Sequence, residues 1–219
     1  PPTFPAEDGI RDESLRLVGS EMCIRDRFGG LYCVDWIECR LGLSILKTMT
    51  NAEREPLIEL RTVEDADLEA VLRLNEAAVP AVNSVDLEQM RWFAANAACF
   101  TVATRNEQFA GFLIGMRPGT TYASPNYRWF CDNYDDFGYI DRIAIATDAR
   151  RLGLAKRLYR NFEAGLPPCV GVLTCEVNIV PPNESSMRFH EDYGFRRVGT
   201  QILDDGRKEV ALMVRTRDV

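Results

Sequence analysis

The chain has 219 residues, of which 46% are hydrophobic and 27% are charged, the balance of a globular protein with a buried core. Its formal net charge of −7 lacks the basic excess that sequence-independent nucleic-acid binding requires, and no apolar run approaches the roughly 20 residues of a membrane helix. We therefore expect a soluble, cytoplasmic protein that binds neither nucleic acid nor membrane.

The cysteine and histidine content argues against a metal centre. Seven cysteines form no Cys-x-x-Cys pair, and His190 is the single histidine. An odd number of cysteines suits a disulfide framework poorly, and one histidine offers a zinc site few ligands. We expect reduced thiols and no metal site.

The first 48 residues lack the patterning of the rest of the chain. Residues 1–27 contain Ile-Arg-Asp twice, and no helical or strand period organises their apolar residues. The tract Glu-Met-Cys-Ile-Arg-Asp resembles a translated sequencing adaptor, which is excluded from fold reasoning. Residues 28–48 are either translated upstream DNA or a genuine extension. We expect 1–48 to be a non-native or disordered extension and 49–219 to be the domain, with Met49 as its start.

Organised patterning begins after Met49. Alternating or β-branched runs predict strands, and apolar residues at a spacing of three and four predict helices. The predicted elements are, in order, a strand at 57–61, a helix capped by Thr62 that runs toward Pro80, a helix that begins at Asp86, and strands at 99–104 and 109–116.

Residues 117–138 interrupt this pattern and are predicted to form a long loop. Five aromatic residues lie between Tyr127 and Phe137, interleaved with three aspartates. Long ordered loops are often functional. Two interpretations stay open: a hydrophobic flap over the sheet, or a wall of an acceptor site that is aromatic for shape and acidic for a cationic amine.

The stretch 139–165 carries the strongest signal. Residues 139–146 are nearly all apolar, as in a strand buried on both faces, and the amphipathic helix that follows stops at Gly165. At the turn between them, Gly153 allows the backbone to approach a ligand closely. The unpaired N–H groups of the first helical turn favour an anion, such as a phosphate. The alternative is a plain strand–turn–helix unit with two surface arginines.

The remaining elements complete a single α/β domain. They are a strand at 170–178, a helix with Asn183 as its N-cap that ends at Gly194, and two strands at 195–203 and 209–215.

The turn at 150–155 resembles the pyrophosphate loop of the GNAT superfamily of acetyl-CoA-dependent N-acetyltransferases, Gln/Arg-x-x-Gly-x-Gly/Ala. Its three defined positions are filled by Arg150, Gly153 and Ala155. The order of elements is also that of the family, and a second family pattern is matched by Asn183, Ser186, Phe189, Gly194 and Phe195. The resemblance implies a single-domain GNAT-like α/β fold, with a mixed central sheet of about seven strands flanked by about four helices.

The resemblance also implies acetyl-CoA as cosubstrate and a set of residues that bind it. Backbone N–H groups at the head of the helix would bind the pyrophosphate, and the end of the preceding strand would pair with the pantetheine arm where the parallel sheet splays after Ile145. The implied residues are Ile143, Ala144, Ile145, Arg150, Arg151, Leu152, Gly153, Leu154, Ala155, Lys156, Asn183 and Ser186. Helix capping is an alternative role for Asn183.

The implied chemistry is attack of a free amine on a thioester. A lysine-like amine needs a proton acceptor, because its neutral form costs roughly 4–5 kcal/mol to reach at pH 7. Glu176 is the first candidate and Asp141 the second, although either could instead bind the substrate cation or pair with Arg142. His190 stands where the family usually has a tyrosine, which implies a general acid or a thiolate stabiliser. Tyr193 could supply or orient that proton.

We therefore expect an N-acetyltransferase that moves an acetyl group to a primary amine of a small molecule, amino acid or peptide by direct attack through a tetrahedral intermediate. Because the usual tyrosine is replaced, a non-catalytic acyl-CoA-binding or regulatory module is the alternative. A protein-interaction domain would bind no acetyl-CoA at all. Family members often pair through their last strands, which implies a possible homodimer.

Overall fold

The structure, a computed structural model, describes residues 16–18, 21–25, 31–35, 56–203 and 206–217. The chain divides into two units, residues 1–53 and residues 54–219. In the first unit, three strands form an antiparallel sheet in the order β1-β2-β3: β1 (Arg16–Val18), β2 (Glu21–Arg25) and β3 (Leu31–Asp35). The rest of the predicted extension, and Met49 with it, lies outside the described residues, and the non-native origin of 1–48 stays a prediction.

The second unit is built on a seven-stranded sheet. Its strands are β4 (Ile58–Thr62), β5 (Cys99–Arg105), β6 (Gln108–Met116), β7 (Gly138–Ile145), β8 (Val172–Val180), β9 (Arg196–Leu203) and β10 (Lys208–Thr216). They lie in the order β4-β5-β6-β7-β8-β10-β9. Every neighbouring pair is antiparallel except β7 and β8, which are parallel. The predicted mixed sheet of about seven strands is therefore confirmed.

Within residues 56–203 and 206–217, five α-helices accompany this sheet, where about four were predicted. They are α1 (Leu68–Ala77), α2 (Leu87–Asn96), α3 (Pro125–Asn133), α4 (Leu154–Gly165) and α5 (Glu184–Asp192). Buried side chains of α1, α2 and α3 join one core cluster, and those of α4 join a second cluster with the alternate residues of the same strands. This is the expected result of side chains that alternate between the two faces of a sheet. No helix in the described part of the chain is both long and apolar enough to cross a membrane.

The fifth helix, α3, lies inside the predicted loop 117–138. Ser124 caps it by accepting a hydrogen bond from the Tyr127 N–H, and Pro125 occupies its first turn, where a missing N–H costs nothing. Tyr127 and Phe130, three residues apart, are fully buried. The aromatic run is therefore largely core, and the prediction of a loop was wrong because the aromatic density obscured an ordinary cap-proline helix start.

The start of α1 also differs from the prediction. Thr62 is the last residue of β4, paired with Thr101 of the neighbouring strand, so it cannot cap a helix. A short 3-10 turn, Asp65–Asp67, precedes α1, and the Asp67 carboxylate accepts a hydrogen bond from the Glu64 N–H at 2.8 Å. The capping box thus exists two residues further along, with Glu64 in the place that Thr62 was predicted to take.

Helix α4 packs closely on the centre of the sheet. A Cβ atom at Gly115 of β6 would stand 2.5 Å from the ring of Phe162, so only glycine permits this approach. The apolar stripe of α4 is buried as predicted, with Leu154, Leu158 and Phe162 almost inaccessible. The helix also ends at Gly165, as predicted. This packing fixes the position of the N terminus of α4 beside the end of β7.

Candidate active site

Strands β7 and β8 separate in the middle of the sheet. Their parallel pairing runs only from Gly138 opposite Leu173 to Ile140 opposite Cys175. Beyond it, β7 stays paired with β6 as far as Ile145, and β8 stays paired with β10. The two strands diverge because each follows its other neighbour. The cleft therefore opens after Ile140, earlier than the predicted splay after Ile145.

Two cavities lie in this cleft. One, of about 270 Å³, contains Glu176 and Asp141, and we call it the Glu176 cavity. The other, of about 510 Å³, contains Arg150, and we call it the Arg150 cavity. Six residues line both cavities: Ala81, Ile143, Asn178, Asn183, Ser186 and His190. The two cavities therefore meet where α5 faces the splayed strands.

The Arg150 cavity leads to the N terminus of α4. The turn before the helix holds two residues with left-handed backbone, Arg151 at φ +64° and Gly153 at φ +76°. Among the described residues, no side chain caps this helix and no acidic residue lies in its first turn. Its first N–H groups and its dipole therefore present positive potential to a ligand. The Arg150 Nε donates to the Ile145 carbonyl at 3.2 Å, which ties the turn to the end of β7.

Glu176 lies in the other cavity, on β8, and is only partly buried. Its carboxylate accepts a hydrogen bond from the Tyr139 hydroxyl at 2.7 Å. The pKa of Glu176 is raised to about 7, first by burial and second by the charge of Asp141, while hydrogen bonds from Tyr139 and Asn126 act in the opposite direction. At neutral pH this carboxyl is therefore divided between its two protonation states, which is the poise that a general base needs.

Asp141 is committed to an ion pair. Its carboxylate accepts from the Arg142 Nε at 2.7 Å, and both side chains are almost completely buried. Arg142 is held in turn by the Asn75 Oδ1, at 3.0 Å from its Nη1, and by the face of Phe93. Of the roles left open for Asp141, pairing with Arg142 is the one the structure displays. Glu176 is thus the carboxylate of this cavity without an arginine partner among the described residues.

His190 is buried at the junction of the cavities, with 3% of its surface exposed. Its Nδ1 lies 2.7 Å from the Ser186 carbonyl, which can only accept, so this nitrogen carries the proton. Its Nε2 lies 2.6 Å from the Tyr159 hydroxyl and accepts from it. Burial lowers the pKa of His190 to about 4. At neutral pH the ring is therefore neutral, and the imidazolium form of the predicted general acid is disfavoured.

Comparison with known proteins adds the chemistry that these residues serve. Residues 68–195 match the acetyltransferase (GNAT) family. The chain belongs to this family. As a GNAT acetyltransferase it is an acyltransferase, and its cosubstrate is acetyl-CoA. A search of the curated proteins found no significant match.

Solved GNAT structures share the fold. The ribosomal-protein-S18-alanine N-acetyltransferase of Escherichia coli is 18% identical, with a TM-score of 0.55 over 73% of this chain and 94% of the other. Naa20 of Chaetomium thermophilum, in complex with a bisubstrate analogue, is 18% identical, with a TM-score of 0.57 over 72% and 86%. The protein yncA of Salmonella typhimurium, whose structure contains acetyl-CoA, is 17% identical, with a TM-score of 0.51 over 73% and 93%.

The GNAT residues present here fit acetyl-CoA. The uncapped first turn of α4 offers N–H donors for a diphosphate, and Arg150 and Ala155 line the cavity that leads to it. Ile143, Ala144 and Ile145 line the same cavity along the unpaired edge of β7, as the family pattern implies. The other predicted residues of the turn lie at the helix entrance and not in the cavity wall: Arg151, Leu152, Gly153, Leu154 and Lys156.

Asn183 and Ser186 occupy the family positions at the start of α5. The Asn183 side chain accepts a hydrogen bond from the Ser186 N–H at 3.2 Å, so its capping role is real. Both residues also line both cavities. The two roles predicted for Asn183 are therefore compatible: the cap fixes the side chain at the junction.

Tyr193 does not reach the cavities of this GNAT domain. Its hydroxyl donates to the Glu163 carboxylate at 2.7 Å, and the Arg215 guanidinium lies over its ring and bonds the same carboxylate. It is absent from the lining of both cavities in the described part of the chain. The predicted supply or orientation of a proton by Tyr193 therefore lacks support. Tyr159 of α4 takes the place beside His190 instead.

The sequence did not reveal two further site residues. Tyr159 is fully buried on α4 next to Leu158, and the helical pattern contains no signal that separates it from the core. Asn126 lies in the first turn of α3, and its Oδ1 is buried without a hydrogen-bond partner among the described residues. Recognition of Ser124-Pro125 as a helix start would have separated Asn126 from the supposed loop.

The predicted acceptor wall at 117–138 is partly realised. Tyr122, Ser124 and Asn126 line the Glu176 cavity. The acidic residues of the stretch do not: Asp132 and Asp135 are exposed, and Asp136 pairs with Arg117. Tyr122 thus supplies an aromatic side chain to the wall, and polar groups at the head of α3 stand where acidic groups were expected.

Proposed function

We propose that this protein transfers the acetyl group of acetyl-CoA to the primary amine of a small molecule, amino acid or peptide. The observation that carries the proposal is the meeting of two cavities at His190, one leading to the head of α4 and the other containing Glu176. A thioester that enters along the first cavity and an amine that enters the second would come together at this junction. Transfer is then direct, with no acyl-enzyme stage.

Glu176 acts as the proton acceptor. A protonated amine that enters its cavity gives one proton to the carboxylate, and the free amine attacks the thioester carbonyl. The pKa of Glu176, about 7, allows the carboxylate to accept this proton at neutral pH and afterwards to release it to solvent. The tetrahedral intermediate then collapses: the C–S bond breaks, the thiolate leaves, and the second proton of the amine nitrogen passes to solvent, from which the thiolate is protonated.

Cys175 also lines the Glu176 cavity, and its thiol is a second group, besides the incoming amine, that could attack the thioester. Burial raises the pKa of its thiol well above the ordinary value, so almost none of it is thiolate at neutral pH. Of the two routes to an amide, attack by a cysteine and attack by the acceptor itself, this environment favours the second.

Tyr159 and His190 serve the leaving group. The neutral ring of His190 holds the Tyr159 hydroxyl at 2.6 Å, beside the junction of the cavities. The hydroxyl can turn from the imidazole toward the departing sulfur and donate a hydrogen bond to the thiolate. His190 then acts as a positioning residue, and the general-acid role expected for it passes to this pair.

The test is a thiol-release assay with acetyl-CoA and a broad panel of primary amines, combined with calorimetry of acetyl-CoA binding. Binding together with amine-dependent thiol release supports the proposal. Binding without release across the whole panel supports the non-catalytic acyl-CoA-binding module instead. No heat of binding would contradict the assignment of the Arg150 cavity to the cosubstrate.

A further inference from the structure

Hydrogen bonds join the walls of the Glu176 cavity to one another. We propose that the acceptor of this enzyme is a compact, free-standing amine that the cavity encloses, and not the N terminus of a polypeptide. The inference deepens the proposed acetyl transfer and rests on it. Three observations carry it: the bonds across the mouth of the cavity, the size of the space, and an unpaired acceptor atom in its wall.

The segment 80–83 between α1 and α2 forms one side of the mouth, and hydrogen bonds join it to the strands on the other side. The Asn178 amide of β8 donates to the Pro80 carbonyl at 2.7 Å. The Lys208 ammonium, at the start of β10, donates to the Asn83 Oδ1 at 2.6 Å. The segment is thus pinned to two strands that lie across the cavity from α1.

The same segment is also fixed from within. The Asn75 amide of α1 donates to the Asn83 carbonyl at 3.1 Å, and Asn75 itself is fully buried. Ala81, Val82 and Asn83 line the cavity together with Leu203 and Lys208. A polypeptide whose N terminus reached Glu176 would have to leave between these walls, which requires their hydrogen bonds to break. A compact molecule makes no such demand once it is inside.

The space itself is small. Its volume of about 270 Å³ lies below the range of roughly 300–1,000 Å³ that is usual for pockets of drug-sized ligands. Part of that space must receive the acetyl group at the junction with the Arg150 cavity. The remaining volume fits an amine with a short side chain and not an extended peptide.

The wall also contains a hydrogen-bond acceptor that has no donor among the described residues. The Asn126 side chain is 95% buried, and its Oδ1 has no hydrogen-bond partner within the described residues. Buried polar atoms are rarely left unpaired in native proteins, and Asn126 lines the cavity, so we infer that an N–H or O–H group of the ligand completes this pairing. The Glu176 carboxylate is a second acceptor in the same cavity. A primary amine can donate to both at once, which places its nitrogen inside the cavity.

The experiment compares matched acceptors with saturating acetyl-CoA. Each amino-acid amide is paired with the pentapeptide that begins with the same residue, so that the two α-amines have the same intrinsic reactivity, and short alkyl amines complete the panel. We expect kcat/KM for the best compact amine to exceed that of any pentapeptide by at least about 100-fold. Pentapeptides that react as well as the compact amines would overturn the inference and leave acetyl transfer intact. Absence of thiol release with either class would instead refute the proposed function itself.

Two variants directly test the hydrogen bond between Lys208 and Asn83 at the mouth of the cavity. Asn83→Ala removes the acceptor of the Lys208 bond without changing charge, and Lys208→Met removes the donor. We expect either to raise the pentapeptide-to-amide ratio of kcat/KM by about tenfold, the weight of one lost hydrogen bond. Arg196→Met, an exposed cation on β9 that lines neither cavity, is the control and should leave the ratio unchanged. A ratio unaffected by both Asn83→Ala and Lys208→Met would contradict the role of the ties.

Discussion

Glu176→Gln tests the central acid–base assignment through stability as well as activity. Gln has nearly the shape of a protonated Glu and can still accept a hydrogen bond from the Tyr139 hydroxyl. It removes only the charge. The pKa of Glu176 rises from an ordinary 4.5 to about 7. At about 1.36 kcal/mol per unit, keeping this carboxylate ionised in the folded protein costs about 3 kcal/mol.

The sign of the effect follows from where the proton binds more tightly. Because the folded-state pKa is the higher one, Glu176 contributes fully to stability below about pH 4.5 and loses this contribution as the pH rises through about 7. Glu176→Gln has no such loss. Its free energy of unfolding relative to the unsubstituted protein should therefore increase by up to about 3 kcal/mol between pH 5 and pH 8.5.

Denaturant unfolding of both proteins at the two pH values measures this difference. The same variant should lower kcat/KM for thiol release by a factor of about 10² to 10⁴, the usual contribution of a general base, and should abolish the rise of kcat/KM with pH near 7. Glu191→Gln, the same change at an exposed position of α5, is the control. A Glu176→Gln protein that gains no stability at pH 8.5, or that keeps activity within twofold, would refute the reasoning.

Three further substitutions probe the rest of the site. His190→Gln should make the protein less sensitive to acid. Because the pKa of His190 is lowered to about 4, the stability that His190 contributes above pH 6.5, about 3 kcal/mol, is lost as the pH falls toward 4. Denaturant unfolding at pH 7 and pH 4.5 should therefore show a smaller loss of stability in the variant than in the unsubstituted protein. Tyr159→Phe should lower kcat by about 10-fold or more with the KM for acetyl-CoA unchanged, because it removes a donor to the thiolate only; an equal change in both constants would contradict this role. Gly153→Ala and its control Gly119→Ala both place a methyl group at a residue with left-handed φ and open space around it, so each should lower the stability by about 1 kcal/mol. Calorimetry should show weaker acetyl-CoA binding for Gly153→Ala alone.

The turn at Gly153 shows what sequence reasoning could reach. A strand, a glycine and an amphipathic helix follow one another within 27 residues, so local rules predicted the uncapped helix terminus and its anion preference without any tertiary information. The cap at Asn183 was equally local. Both predictions depend on neighbours in the chain; the uncapped terminus and the Asn183 cap agree with the structure, and the anion preference stays a prediction.

The partners of His190 and Asp141 show where such reasoning stops. Tyr159 lies 31 residues before His190 in the chain, and only the packing of α4 against α5 brings its hydroxyl to the imidazole. Tyr193 was predicted as the partner because it is close in sequence, but the same packing turns it toward Glu163. Asp141 has its partner next to it in the chain, so the pattern could propose the pair but not decide it against the other roles. Burial, which decides it, is a property of the folded domain.

Burial also explains why the pKa values of Glu176 and His190 shift in opposite directions. It raises the pKa of Glu176 and lowers that of His190, because in both cases it disfavours the charged form. An amine that enters the same cavity is subject to the same penalty, so its pKa falls and the free base, which is the nucleophile, becomes accessible near neutral pH. The enclosure of the cavity is therefore part of the catalytic apparatus. A substitution that admitted water to the cavity while leaving Glu176 and Tyr159 in place should move the limb of the kcat–pH profile that reports the bound amine to higher pH, since the amine would recover its ordinary basicity. It should move the limb that reports Glu176 to lower pH, since the pKa of Glu176 would fall toward 4.5.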